Sequence, residues 1–109
     1  MQTEPIRQLI LESKTATSMD RLSQILVELS SWFATLGQEL EDILVFKADR
    51  WMELRGELKS DKSADRKWDS EPLGKNEIRL RSQLKYLEKV ISAIKMRLRI
   101  KEGESYGKY

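Results

Sequence analysis

Apolar residues recur at helical spacing along most of this chain. Leu22, Leu26, Leu29, Phe33, Leu36, Leu40 and Ile43 follow one another in steps of four and three. That is the heptad stripe of a helix packed along a seam. Leu80, Leu84, Leu87, Ile91, Ile94 and Leu98 repeat the pattern without a fault. The expected fold is all-α: long amphipathic helices with coiled-coil-like seams, forming a helical hairpin or bundle completed by oligomerisation.

The punctuation between these stripes sets the expected elements of a single helical domain, 1–109. A short N-terminal helix is expected over 4–13, with Thr3 as cap, Pro5 in the first turn and Ile6, Leu9 and Ile10 on one face. The Ser/Thr-rich stretch 13–18 breaks it. A long helix follows over about 18–58, capped by Thr17 or Ser18, with Asp20 in the first turn where the helix dipole favours an acid. Strict continuation of its heptad would place Lys47 and Arg50 in the seam. The apolar residues slip instead to Leu44, Ala48 and Trp51, then to Leu54 or Leu58, a phase change that alters supercoiling or marks a new packing partner. Gly37 either ends the first part of this helix or is absorbed at about 1 kcal/mol. Unbroken, the helix would be roughly 60 Å long, a length suited to an extended assembly.

Residues 59–74 form a polar connector anchored by Trp68. Ser63 is a candidate cap for a short helix, ADRKW, and residues 70–74 read as a turn around Pro72. The last helix is expected over about 75–101 with Asn76 as its cap, and 103–109 as a flexible tail. Opposite its seam, Ile78, Met96 and Ile100 share the back face, with Tyr86 and Val90 beside it. A helix apolar on more than one side is usually covered on more than one side. The oligomer-packing set is therefore Leu80, Leu84, Leu87, Ile91, Ile94 and Leu98 with Ile78, Met96 and Ile100.

Composition narrows the chemistry. The chain has no Cys and no His, which removes thiol nucleophiles, imidazole acid–base catalysis and Cys/His zinc sites. Glu39, Glu41 and Asp42 are read as a solvated acidic face, not a metal site. No glycine-rich phosphate loop occurs. The expectation is a non-enzyme without cofactor, metal or small-molecule substrate. No apolar run approaches the length of a membrane span, and the N-terminal MQTEPIRQ lacks the basic start and apolar core of a signal peptide. A cytoplasmic protein with no membrane partner is expected.

Charge is segregated. Residues 1–58 carry 6 Lys/Arg against 10 Asp/Glu, whereas 59–109 carry 14 against 8. The basic half faces either nucleic acid or the acidic half of a neighbouring subunit. For nucleic acid, the expected contacts are Lys59, Lys62, Arg66, Lys67, Arg79, Arg81, Lys85 and Lys89 on phosphates. Trp68 is the best candidate for stacking on a base, a contact worth roughly 1–3 kcal/mol.

The order of a long amphipathic helix, the connector KSADRKWDS and a final helix containing VISAIKMRLR resembles the small helical accessory proteins of phage recombination and replication modules. Over about residues 45–103 the chain is distantly similar to the UvsY-type recombination mediators. That resemblance implies a homo-oligomer that binds single-stranded DNA and works with a recombinase or a single-strand-binding protein. It also places Lys59, Lys62, Arg66 and Lys67 in the family's basic connector. The expected function is an oligomeric single-stranded-DNA-binding accessory protein of recombination or replication. The alternatives are a phage-type inhibitor or adaptor that binds a host protein, and a structural helical component.

Overall fold

The structure, a computed structural model, describes residues 4–106, and side chains through Gly103. Among the described residues there are four α-helices and no strand: α1 (Glu4–Thr15), α2 (Met19–Glu57), α3 (Asp61–Ser70) and α4 (Pro72–Tyr106). The chain is all-α, as its periodicity predicts. No helix among the described residues is long and apolar enough to cross a membrane. The chain divides into two compact units, one of Met1–Ala34 with Lys85–Tyr109, the other of Thr35–Leu84.

In the first unit, α1 buries Ile6, Ile10 and Ser13. The Ser13 hydroxyl is satisfied within its own helix, donating to the Ile10 carbonyl at 2.6 Å. The break falls after Thr15, two residues later than its polar composition suggests, and Ser18 Oγ then accepts from the Arg21 amide at 3.3 Å as α2 begins. Leu22, Ile25 and Leu29 of α2 and Leu87, Ile91 and Ile94 of α4 complete the core. Ile25 lies outside the stripe read from the sequence, yet it is fully buried. Its position, three residues after Leu22 and four before Leu29, belongs to the same face. Arg97 of α4 donates to the carbonyl of Ser13 and, at 2.8 Å, to that of Ala16, while Lys101 Nζ reaches the carbonyl of Thr17 at 2.8 Å. Cations from α4 thus satisfy the carbonyls left open where α1 ends. The expected loose tail is helical as far as Tyr106. Gly103 costs the helix about 1 kcal/mol and does not end it. Thr3 and residues 107–109 lie outside the described residues.

In the second unit, Leu54, Ala64 and Trp68 form the buried cluster, with Ile43, Trp51, Leu58 and Leu73 packed against it. The polar connector is mostly helix. Ser60, not Ser63, caps α3: it is extended, with φ −148° and ψ 157°, and its hydroxyl accepts from the Ser63 amide at 3.1 Å. Ala64 and Trp68, one turn apart, are the apolar face of this otherwise polar helix.

The helix ends because Pro72 follows. The residue before a proline is driven out of the α region, and Glu71 is extended, with φ −77° and ψ 154°. Pro72 is itself the first residue of α4, where its missing amide costs nothing. The last helix therefore begins before Asn76, which lies within it and is not its cap. Gly74 sits where a Cβ would lie 1.8 Å from the Trp68 carbonyl oxygen. The sharp α3–α4 junction needs the absence of a side chain there. Gly37, by contrast, leaves α2 unbroken, and a Cβ at that position would meet nothing within 4 Å.

Candidate nucleic-acid interface

The surface of the second unit is shaped by ion pairs that point inward. Lys47 and Arg50 occupy the positions where strict heptad spacing puts them, in the seam, and each meets a carboxylate. Lys47 Nζ lies 3.0 Å from Glu77 Oε1. Arg50 grips Glu71 with two parallel bonds, Nε to Oε1 at 3.0 Å and Nη2 to Oε2 at 2.6 Å, and also holds Glu53 at 2.9 Å. A bidentate fork of this kind fixes geometry as well as charge. It holds the Glu71 carboxyl below its usual range and raises the Arg50 guanidinium.

Glu77 is the centre of the network. It is 7% exposed and accepts from Trp68 Nε1 at 2.9 Å, from Arg81 Nε at 2.8 Å and from Lys47. Burial pushes its pKa up, but the bonds from Arg81, Lys47 and Trp68 prevail and hold it down at about 2. Lys47 also stands over the Trp68 ring, 5.7 Å from its centroid, within cation–π range. Phe46 packs on the same indole with ring centroids 6.3 Å apart.

Trp68 is therefore not a base-stacking residue. It is 1% exposed, its ring is covered and its N–H is bonded to Glu77. Trp51 is half-buried, with its N–H donated to Asp65 at 2.8 Å. Trp68 presents no free face beside the basic residues of α3.

The inward pairs sort the charge that remains outside. Lys47, Arg50 and Arg55 are all engaged by acids of α3, α4 or their junction, namely Glu77, Glu71 and Asp61. On α3, Asp61 and Asp65 turn to Arg55 and Trp51. Among the described residues, Lys59, Lys62, Arg66 and Lys67 are exposed and form no ion pair within 4 Å. Lys62 and Arg66 lie one turn apart on one side of α3, roughly 6 Å along the axis, and Lys59 stands just before the Ser60 cap. Lys67 flanks them, and the exposed Asp69 closes the row at its end. This row can bind phosphate oxygens. It has no group positioned to read a base edge.

Of the other predicted contacts, Arg79 is exposed, and Arg81 is 54% exposed but tied to Glu77. Lys85 and Lys89 lie in the first unit, exposed, beside Glu88 and Ser92 around a shallow depression. The α4 seam is covered by the chain's own helices. Leu80, Leu87, Ile91 and Ile94 are buried and Leu84 and Leu98 half-buried, so no second subunit is needed to cover them. Ile78, Met96 and Ile100 remain exposed, at 52%, 64% and 55%. Among the described residues no three carboxylates converge on a metal-sized space.

The Glu77 network escaped the sequence reading because the two cations in the seam looked like the end of its register. Lys47 and Arg50 at the expected heptad positions were the available signal. Compared with protein-family models, with curated proteins and with solved structures, the chain matches none.

Proposed function

We propose that this protein is a non-catalytic nucleic-acid-binding accessory protein whose phosphate contacts come from Lys59, just before α3, and from the outer row of α3: Lys62, Arg66 and Lys67. The observation that carries the reading is the sorting of charge. Every acid of α3 except Asp69 is bonded towards α2, while the four bases have no carboxylate within ion-pair distance. Exposed cations on and beside a short, capped helix, without a carboxylate in ion-pair contact, present charge to a polyanion, and phosphate binding releases condensed counterions.

With Trp68 buried, the affinity is electrostatic and carries little base preference. The likeness to UvsY-type mediators supports single-stranded DNA as the ligand and a recombinase or single-strand-binding protein as the functional partner. The test is fluorescence anisotropy with labelled single- and double-stranded oligonucleotides of mixed sequence at low salt. Wild type should bind, and Lys62→Ala/Arg66→Ala/Lys67→Ala should weaken binding at least tenfold while leaving the helical signal unchanged, because all three side chains are exposed. Absence of binding at low salt would sink the proposal.

A further inference from the structure

The same charge sorting acts on α2, and it leaves a second surface without a partner. In the Thr35–Leu84 unit, Val45, Ala48 and Met52 lie on one outer face of α2, spaced three and four apart. Val45 is 69% exposed and Met52 66%. Around them stand Glu41, Asp42 and Asp49, all exposed and none in an ion pair among the described residues, because the cations of this part of α2, Lys47, Arg50 and Arg55, pair with Glu77, Glu71 and Asp61. Asp42 meets only the Gln38 amide, at 3.0 Å. The face is thus an apolar strip with an acidic border, and Ala48 at its middle lets another helix approach closely.

A surface of matching chemistry lies on α4 in the same unit. Ile78 is 52% exposed. Lys75 is one turn before it, Arg79 next to it and Arg81 almost one turn after it; all three are exposed. This is an apolar centre with a basic border. We infer that the acidic strip of α2 (Val45, Ala48, Met52) docks on the basic start of α4 (Ile78 with Lys75 and Arg79) of a second copy of this chain. The second copy is favoured by charge complementarity: its α4 start carries the opposite sign around its own exposed apolar residue. Pairing α2 strip to α2 strip would set carboxylates against carboxylates, which is unfavourable. The contact is therefore heterologous, joining two different patches. It leaves the outer row of α3 unused and does not depend on nucleic-acid binding.

The experiment is sedimentation velocity, without nucleic acid, from micromolar to near-millimolar protein at low and at molar salt. Wild type should grow in mass with concentration, and salt should reverse the growth. Val45→Lys/Met52→Lys removes one face and Ile78→Glu the other, so each variant alone should stay monomeric. An equimolar mixture of the two retains one intact face of each kind and should form a dimer and nothing larger. Glu41→Lys/Asp49→Lys, which changes only exposed charge, should weaken association at low salt. Monomeric wild type at every concentration, variants that associate as wild type does, or a mixture that stays monomeric would each overturn the inference.

Discussion

Replacing Glu77 with Gln removes one charge and almost no volume. The side chain keeps an acceptor for Trp68 Nε1, but it turns a neutral amide towards Arg81 and Lys47. In the native protein the carboxylate is 7% exposed and held at a pKa of about 2. A depression of that size from the ordinary glutamate value corresponds to roughly 3 kcal/mol of folding free energy. Water around Arg81, which is 54% exposed, screens part of it, so about 2–3 kcal/mol is the expected loss. For a chain of this size that lowers Tm by roughly 10 °C or more.

The pH dependence has a definite sign. A depressed carboxylate pKa contributes stability in full above the unfolded value, near 4.3, and the contribution fades as pH falls towards 2. The Tm difference between wild type and Glu77→Gln should therefore be full at pH 7, shrink below about pH 4.5, and be nearly gone at pH 2. Thermal melts followed by far-ultraviolet circular dichroism across that range provide the measurement. A variant as stable as wild type at pH 7, or a Tm difference that ignores pH, would refute the reasoning.

Two of the helical glycines, Gly74 and Gly37, should respond in opposite directions. Gly74→Ala drives a methyl group into the Trp68 carbonyl and should cost about 3 kcal/mol or more, with a red shift of tryptophan emission as Trp68 loses its cover. Gly37→Ala meets nothing within 4 Å and should stabilise α2 by about 0.5–1 kcal/mol, seen as a higher urea midpoint. Arg97→Ala leaves the carbonyls of Ser13 and Ala16 without their donor; a loss of about 1–3 kcal/mol should appear as faster amide exchange in α1 ahead of global unfolding. Gln83 has a buried side-chain oxygen with no hydrogen-bond partner among the described residues. Gln83→Met should therefore be neutral or raise Tm, and a marked drop would mean that the oxygen is satisfied in solution.

The helices were legible because their stripes are long and their period is unambiguous. Ser18 and the break before α2 followed from capping chemistry. Capping chemistry also misled: Ser60 and Ser63 both precede the apolar residues of α3, and only backbone geometry distinguishes them. Pro72 and Asn76 posed the same problem for α4, which proline at its first position resolves. The basic residues from Lys59 to Lys67, expected to be phosphate contacts, are exposed. Trp68 was read both as the apolar anchor of the connector and as a base-stacking candidate; its burial supports the first and not the second, although an indole between Lys67 and Asp69 looks like a surface residue in a linear string. Only the turn-spaced partner Ala64 and a carboxylate nine positions on, Glu77, reveal that it faces inward. The α4 seam was read as an oligomer contact because the number of its own covering helices depends on tertiary arrangement, which periodicity does not encode.

The salt dependence of oligonucleotide binding tests the central claim most directly, that the unpaired cations on the outer row of α3 contact phosphates. The slope of log Kobs against log salt counts the phosphates neutralised, at about 0.7 per contact on a single strand and 0.9 on a duplex. The account predicts a steep negative slope for wild type, and a slope shallower by about 2–3 for Lys62→Ala/Arg66→Ala/Lys67→Ala. Equal slopes for the two proteins would contradict it, because phosphate would then be bound elsewhere on the molecule.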